Sequence, residues 1–235
     1  PTTDPSAYYG VDVRMAAGDE TLAPSRAEVL AENAASLLRR DGWGRVISVK
    51  KGAYFSHQLE DGLRDPSRFA DFPIDPPESD SRYAHLDPVM EQWKQRYCVF
   101  AKVGGPFLRT CFVRGEANYL MDLAADPKLA AELSQWMARH LTAVGLEELR
   151  RWNLYDTGIW VYDDMASLQN PMFSPQTAEE VLAPAWSYMV DAFRNAGARK
   201  IILHSDGNIG PVLDLLVDLG FDGINPVEPR AGLRA

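Results

Sequence analysis

Apolar positions along this chain fall into short continuous runs, and most of these runs finish on a polar tip. Residues 11–16 alternate as a strand and lead into Gly18-Asp19-Glu20-Thr21. Residues 97–103, Tyr97-Cys98-Val99-Phe100-Ala101-Lys102-Val103, form a continuous run broken by Gly104-Gly105-Pro106. Residues 158–162 predict the next strand, ending in Asp163-Asp164. Residues 200–203 predict another, ending in His204-Ser205-Asp206-Gly207. Residues 221–225 predict the last, ending in Pro226-Val227-Glu228. Between them the period changes to that of a helix. Leu129, Leu133, Trp136, Met137 and Leu141 share one face of a helix over 127–149. Pro175 opens a second helix that Gly197 closes, and a short helix covers about 210–219. Residues 1–10 read as a loop. Around 39–55 two β-rich runs flank Lys50-Lys51-Gly52 and predict a hairpin, and the Pro- and Asp-rich stretch 65–80 must be irregular. Residues 39–80 are therefore read as a small β-hairpin excursion from the main fold.

Strand alternating with helix, with strands apolar on both faces, is the pattern of a parallel sheet covered by helices. A doubly wound sheet would want a Gly-rich phosphate turn early, and no G-x-G-x-x-G occurs. Polar residues at every strand end favour a TIM-type (β/α)8 barrel, in which such ends converge on one mouth. Five strands are counted where a closed barrel needs eight. The expectation is one partial barrel domain over 1–235, truncated at both ends.

Composition narrows the function classes. The chain has 235 residues, 46% hydrophobic and 24% charged, with a formal net charge of −9. No basic cluster suggests a nucleic-acid partner, and no apolar run is long enough for a membrane span. Only Cys98 and Cys111 are present, too few for a disulfide framework, so a cytoplasmic location is expected. The start lacks a signal-peptide pattern and an initiator Met, so the natural chain is expected to begin earlier.

The candidate chemistry sits at the strand ends. His204 and Asp206 are two apart, so in extended chain both face one side, and imidazole with carboxylate makes a partial divalent-metal site. Asp163 and Asp164 are adjacent, so a regular strand turns only one of them to the mouth, as a metal ligand, general base or anchor for a cation. Asp163, Asp164, His204 and Asp206 are the candidate catalytic residues, with His204 and Asp206 the candidate metal ligands. Gly105 would let a substrate approach backbone N–H groups, and Arg109 would neutralise a substrate carboxylate. Phe107 and Tyr162 would wall the site, while Asn225 and Glu228 would bind substrate. His57, His85 and His140 share no ligand spacing and read as structural or surface residues.

Val103-Gly104-Gly105-Pro106-Phe107, Asp163-Asp164, His204-Ser205-Asp206-Gly207-Asn208-Ile209 and Gly223-Ile224-Asn225-Pro226-Val227-Glu228-Pro229, in that order, resemble the uroporphyrinogen decarboxylase superfamily. The resemblance runs from about residue 8 to the end. It implies a (β/α)8 barrel with a cleft at the carboxyl ends of its strands. One branch of that family decarboxylates a tetrapyrrole without metal or cofactor. The other is corrinoid-linked methyltransferases, which hold zinc through a His-x-Cys pair and a later Cys. Here His204-Ser205-Asp206 stands where the second branch has His-x-Cys, so a harder carboxylate replaces the thiolate.

The expected function is a methyltransferase-like enzyme with a divalent metal such as zinc at His204 and Asp206. Its partners would be a small-molecule substrate and a corrinoid protein. One alternative is a metal-free decarboxylase of the porphyrin type acting on a tetrapyrrole. Another is a non-catalytic ligand-binding barrel.

Overall fold

The five apolar runs form one all-parallel sheet in chain order. The computed structural model describes residues 8–53 and 55–233. Its strands are β1 (Val13–Ala16), β6 (Cys98–Gly104), β7 (Ile159–Tyr162), β8 (Ile201–His204) and β9 (Gly223–Asn225), each hydrogen-bonded to the next. Neighbours in space are neighbours in sequence, without the reversal of strand order that marks a doubly wound sheet. Among the described residues β1 and β9 do not pair, so the five-stranded sheet is open, and the barrel expected here in partial form is not itself shown. Most of the loop expected at 1–10 falls at residues 1–7, outside the described residues.

Three helices lead from β6 to β7: α2 (Pro106–Arg114), α3 (Glu116–Ala125) and α4 (Pro127–Trp152), after α1 (Asp87–Arg96) has led into β6. A π-helical turn, Ala178–Leu182, runs into α5 (Ala183–Asn195) between β7 and β8, and α6 (Leu213–Asp218) precedes β9. The helix expected over 127–149 thus runs three residues further, and α1, α2 and α3 had no counterpart in the periodicity. Helix α4 packs on β6 and α5. One face of the sheet is therefore dry: Val99, Ala101, Val103, Ile159, Val161, Ile201 and Leu203 are all buried. The alternate residues Phe100, Lys102, Trp160, Tyr162, Ile202 and His204 are only partly buried. This two-residue alternation follows from the pleat.

The excursion is larger than a hairpin. Four antiparallel strands, β2 (Glu28–Glu32), β3 (Ser36–Arg40), β4 (Val46–Lys50) and β5 (Ser56–Glu60), form a meander beginning well before residue 39. The Lys50-Lys51-Gly52 turn lies between β4 and β5 as expected, with Gly52 at φ +80°; Tyr54, in the same connection, is outside the described residues. Strand β2 is exposed along its whole length, so burial leaves no alternation in its sequence.

Gly158 enters β7 with φ +113°, and a Cβ there would land on the Lys200 carbonyl oxygen. The same backbone oxygen accepts the Ile159 N–H at 2.9 Å and cannot move without breaking the β7–β8 pairing. Gly158→Ala is expected to cost about 2 kcal/mol or more, from backbone strain plus overpacking. Urea unfolding measures this, and an unchanged midpoint would contradict it.

Candidate functional site at the carboxyl ends of the strands

Register sets the site. Tyr162 pairs with His204, and His204 with Asn225, so three strand tips stand in one row. The Tyr162 and His204 rings stack at 4.2 Å, and His204 Nδ1 lies 2.8 Å from Asn225 Oδ1. An amide oxygen only accepts, so Nδ1 carries the proton and, in the neutral ring, Nε2 carries the lone pair. That Nε2 faces two carboxylates, Asp164 Oδ1 at 3.6 Å and Asp206 Oδ1 at 3.9 Å. One ligand atom each from Asp164, His204 and Asp206 all lie within 4.8 Å of one another. The Asp206 backbone N–H donates to Asp164 Oδ1 at 3.1 Å, and Gly207 N–H donates to Glu228 Oε2 at 3.1 Å, tying the three loops together. A cavity of about 430 Å³ opens beside them, lined by Ala166, Leu168, Asp206, Gly207, Pro226 and Glu228.

Asp163 turns the other way. Its N–H donates to the His204 carbonyl, so the alternation of β7 continues past the strand and sends consecutive side chains to opposite faces. Asp163 is fully buried on the helix side. Its carboxylate accepts N–H bonds from Leu108 (2.7 Å) and Phe107 (3.3 Å) in the first turn of α2, and from Trp186 Nε1 (2.7 Å) on α5. This is an acid at a helix N-terminus, where free N–H groups and the dipole both favour it. Burial pushes its pKa up to about 6, and those hydrogen bonds pull against the rise.

Three further candidates serve the same packing rather than the row at the strand tips. A Cβ on Gly105 would strike the Asp163 carboxyl, so this glycine makes room for a buried acid and not for a substrate. Phe107 is 1% exposed and packs on Phe173 at 5.0 Å. Arg109 is buried and paired with Glu20 rather than aimed at solvent. Asn225, Glu228, Tyr162, Asp164, His204 and Asp206 are the sequence candidates that the fold does bring together.

The sequence reading missed a second charged group at the ends of β1 and β6. Glu20 accepts from Arg109 and from the Gly104 N–H, and Lys102 Nζ stands 3.7 Å from it. Burial would raise the pKa of Glu20, but Arg109, Lys102 and the Gly104 N–H outweigh it and hold the carboxyl below its ordinary value. Glu148 of α4 accepts from Gly18 N–H (2.6 Å) and Lys102 N–H (3.0 Å), and burial pushes its pKa well above the carboxylate range. A signal was present, since Glu148 falls on the helix face that carries Leu141, Val144 and Trp152, where a carboxylate needs a buried partner. A cavity of about 670 Å³ lies beside the antiparallel sheet, lined by Ala23, Asp41, Arg64 and Arg68 among others. Its Arg64 and Arg68 are already paired with Glu60 and Asp71.

His140 is buried, with Nε2 2.9 Å from the Glu20 carbonyl. Burial pulls its pKa down to about 4. The folded state therefore holds a neutral ring that the unfolded chain would protonate below about 6.5. Its contribution is complete above that pH and lost as pH falls toward about 4. The advantage of the wild type over His140→Gln should shrink by about 3 kcal/mol between pH 7 and pH 4. Urea unfolding at both pH values measures it, and a constant difference would show that His140 titrates alike in both states.

A family model described as uroporphyrinogen decarboxylase (URO-D) matches residues 46–230. No curated protein matches the sequence. Among solved structures, a methyltransferase from Methanosarcina mazei superposes with a TM-score of 0.61 at 14% identity, covering 77% of this chain and 52% of that one. This chain thus spans about half the length of that structure, and the likeness is one of fold. Among the described residues no helix is long and apolar enough to cross a membrane.

Proposed function

Because the chain belongs to the uroporphyrinogen decarboxylase family, we propose that it is an enzyme of the methyltransferase-like kind, with a divalent cation held by Asp164, His204 and Asp206. The sheet would form part of a (β/α)8 barrel, as its sequential strand order suits. The observation that carries the reading is the free Nε2 of His204 facing two carboxylates, with Nδ1 held from behind by Asn225. An imidazole fixed by an outer hydrogen bond is the usual setting of a metal-ligating histidine. Ligand atoms around a four-coordinate zinc stand about 3.4 Å apart for bonds of about 2.1 Å. The 3.6 and 3.9 Å separations from His204 are close to that spacing, and the two carboxylates, within 4.8 Å of each other, would draw together on the cation. One nitrogen and two oxygens make a harder set than His-x-Cys, and it suits zinc, manganese or iron alike.

A divalent cation held there supplies Lewis acidity, which lowers the pKa of a thiol or water bound to it. The protein's own residues do the rest. Asn225 keeps the proton of His204 on Nδ1. Asp206, the most exposed of the three, would mark the side from which an acceptor reaches the cation. Glu228 holds Gly207 N–H and so fixes the loop that carries Asp206. The substrate is a small molecule entering beside Asp206 and Glu228, and a corrinoid protein is the fitting methyl donor.

The test is metal analysis combined with methyl transfer from methylcobalamin to a thiol. One zinc per chain, with turnover lost in chelator and restored by zinc, supports the proposal. Full methyl transfer in chelator would overturn the metal, and carbon dioxide release from a tetrapyrrole carboxylate in chelator, without methyl transfer, would favour the metal-free decarboxylase. Metal binding with no turnover on any donor would leave a ligand-binding barrel.

A further inference from the structure

We propose that Lys102 is a specificity-determining residue that anchors the anionic end of a small substrate with an apolar, ring-like body. Lys102 lies on the partly buried face of the sheet, with a side chain 18% exposed. Its nearest carboxylate is already taken, because Glu20 accepts from Arg109 and from the Gly104 N–H. The 3.7 Å from Lys102 Nζ to Glu20 is longer than a hydrogen bond. Two cations thus share one ionised acid, and the ammonium holds it only at ion-pair distance. It also stands 4.9 Å over the Tyr162 ring. Since β7 lies between β6 and β8, Tyr162 separates Lys102 from the His204 that it stacks on.

A second donor on the same face is unmet. Trp160 pairs with Lys102 across the sheet, and its indole N–H is buried with no hydrogen-bond partner. Buried donors without acceptors are costly, but this indole N–H is closed off from a ligand, so a bound anion would satisfy the ammonium alone. The surroundings set the body of the ligand. Phe100, Trp160 and Tyr162 line this face with ring centroids about 6 Å apart, a surface on which a flat apolar molecule packs well. A molecule anchored at Lys102 and passing the edge of Tyr162, whose faces carry Lys102 and His204, would present its other end to His204, Asp164 and Asp206. The inference gives a substrate class to the site proposed above, and it takes from that proposal only the position of the reacting end.

Calorimetric titration of the full chain with benzoate and with benzyl alcohol tests it, since the two share a ring and differ in charge. Benzoate is expected to bind at least about tenfold more tightly than the alcohol. Lys102→Met, which keeps the length of the side chain, should weaken benzoate about tenfold or more and erase the preference. Lys102→Arg should keep it. Equal binding of the two ligands to the wild type, an undiminished preference in Lys102→Met, or no benzoate binding up to about 10 mM would each overturn the assignment. Zinc binding on the same samples keeps the two readings apart. Zinc bound without benzoate overturns only the anion anchor, and benzoate bound without zinc overturns only the metal.

Discussion

Replacing Asp163 with alanine is expected to lower the unfolding free energy by about 5 kcal/mol. Three buried N–H groups depend on this one carboxylate: Leu108 and Phe107 at the start of α2, and the Trp186 indole on α5. Each orphaned buried donor costs about 1–3 kcal/mol, and the empty space beside Gly105 adds a cavity term. The loss is structural in kind, because Asp163 ties the β6–α2 turn to β7 and α5 in one contact. Asp163→Asn should fall between the two, at about 2–3 kcal/mol, since its amide keeps one acceptor oxygen and turns an N–H₂ toward a donor. Urea unfolding of both variants measures the effect. If Asp163→Ala were as stable as the wild type and lost only activity, Asp163 would belong to the chemistry and its packing role would be wrong.

His204→Ala should weaken zinc binding about a thousandfold, or about 4 kcal/mol. It removes the one nitrogen ligand and leaves two carboxylates that repel each other. Its effect on folding should be small, since the ring stacks on Tyr162 at a partly exposed strand end. Asn225→Ala makes a sharper comparison, because it leaves all three ligands in place. It removes the hydrogen bond that fixes the His204 tautomer, and should cost about tenfold to a hundredfold in affinity. Competition titration with a zinc dye gives both numbers. A folded His204→Ala protein that holds zinc as tightly as the wild type would remove the proposed centre. A normal Asn225→Ala would show that the Asn225 contact holds the ring in place without tuning it.

The periodicity of the chain made all five parallel strands legible, because the face packed under the helices must be apolar and most positions of the other face are apolar too. The strand-end acids and histidine were legible too, since apolar runs stop where the chain meets solvent or substrate. The antiparallel meander was half legible. Its Lys50-Lys51-Gly52 turn has a clear chemistry, whereas exposed β2 leaves no burial pattern to read. Helices α1 to α3 went unseen because each is short: α1 buries only Met90 and α3 only Tyr119 and Leu123, while α2 mixes Arg109 and Thr110 into its buried face.

What the residues determine on their own here is local: which segments extend, where they end, and that His204 and Asp206, two apart, face one side. The choice between Asp163 and Asp164 belonged to the tertiary structure. Strand alternation makes them opposite but does not say which side is the core, and only the arrival of α2 and Trp186 on one side decides it. The same holds for Arg109, Glu20, Lys102 and Glu148, whose partners lie far along the chain. A charge buried without its partner is prohibitively costly, so such groups take their meaning from long-range contacts that no local pattern encodes.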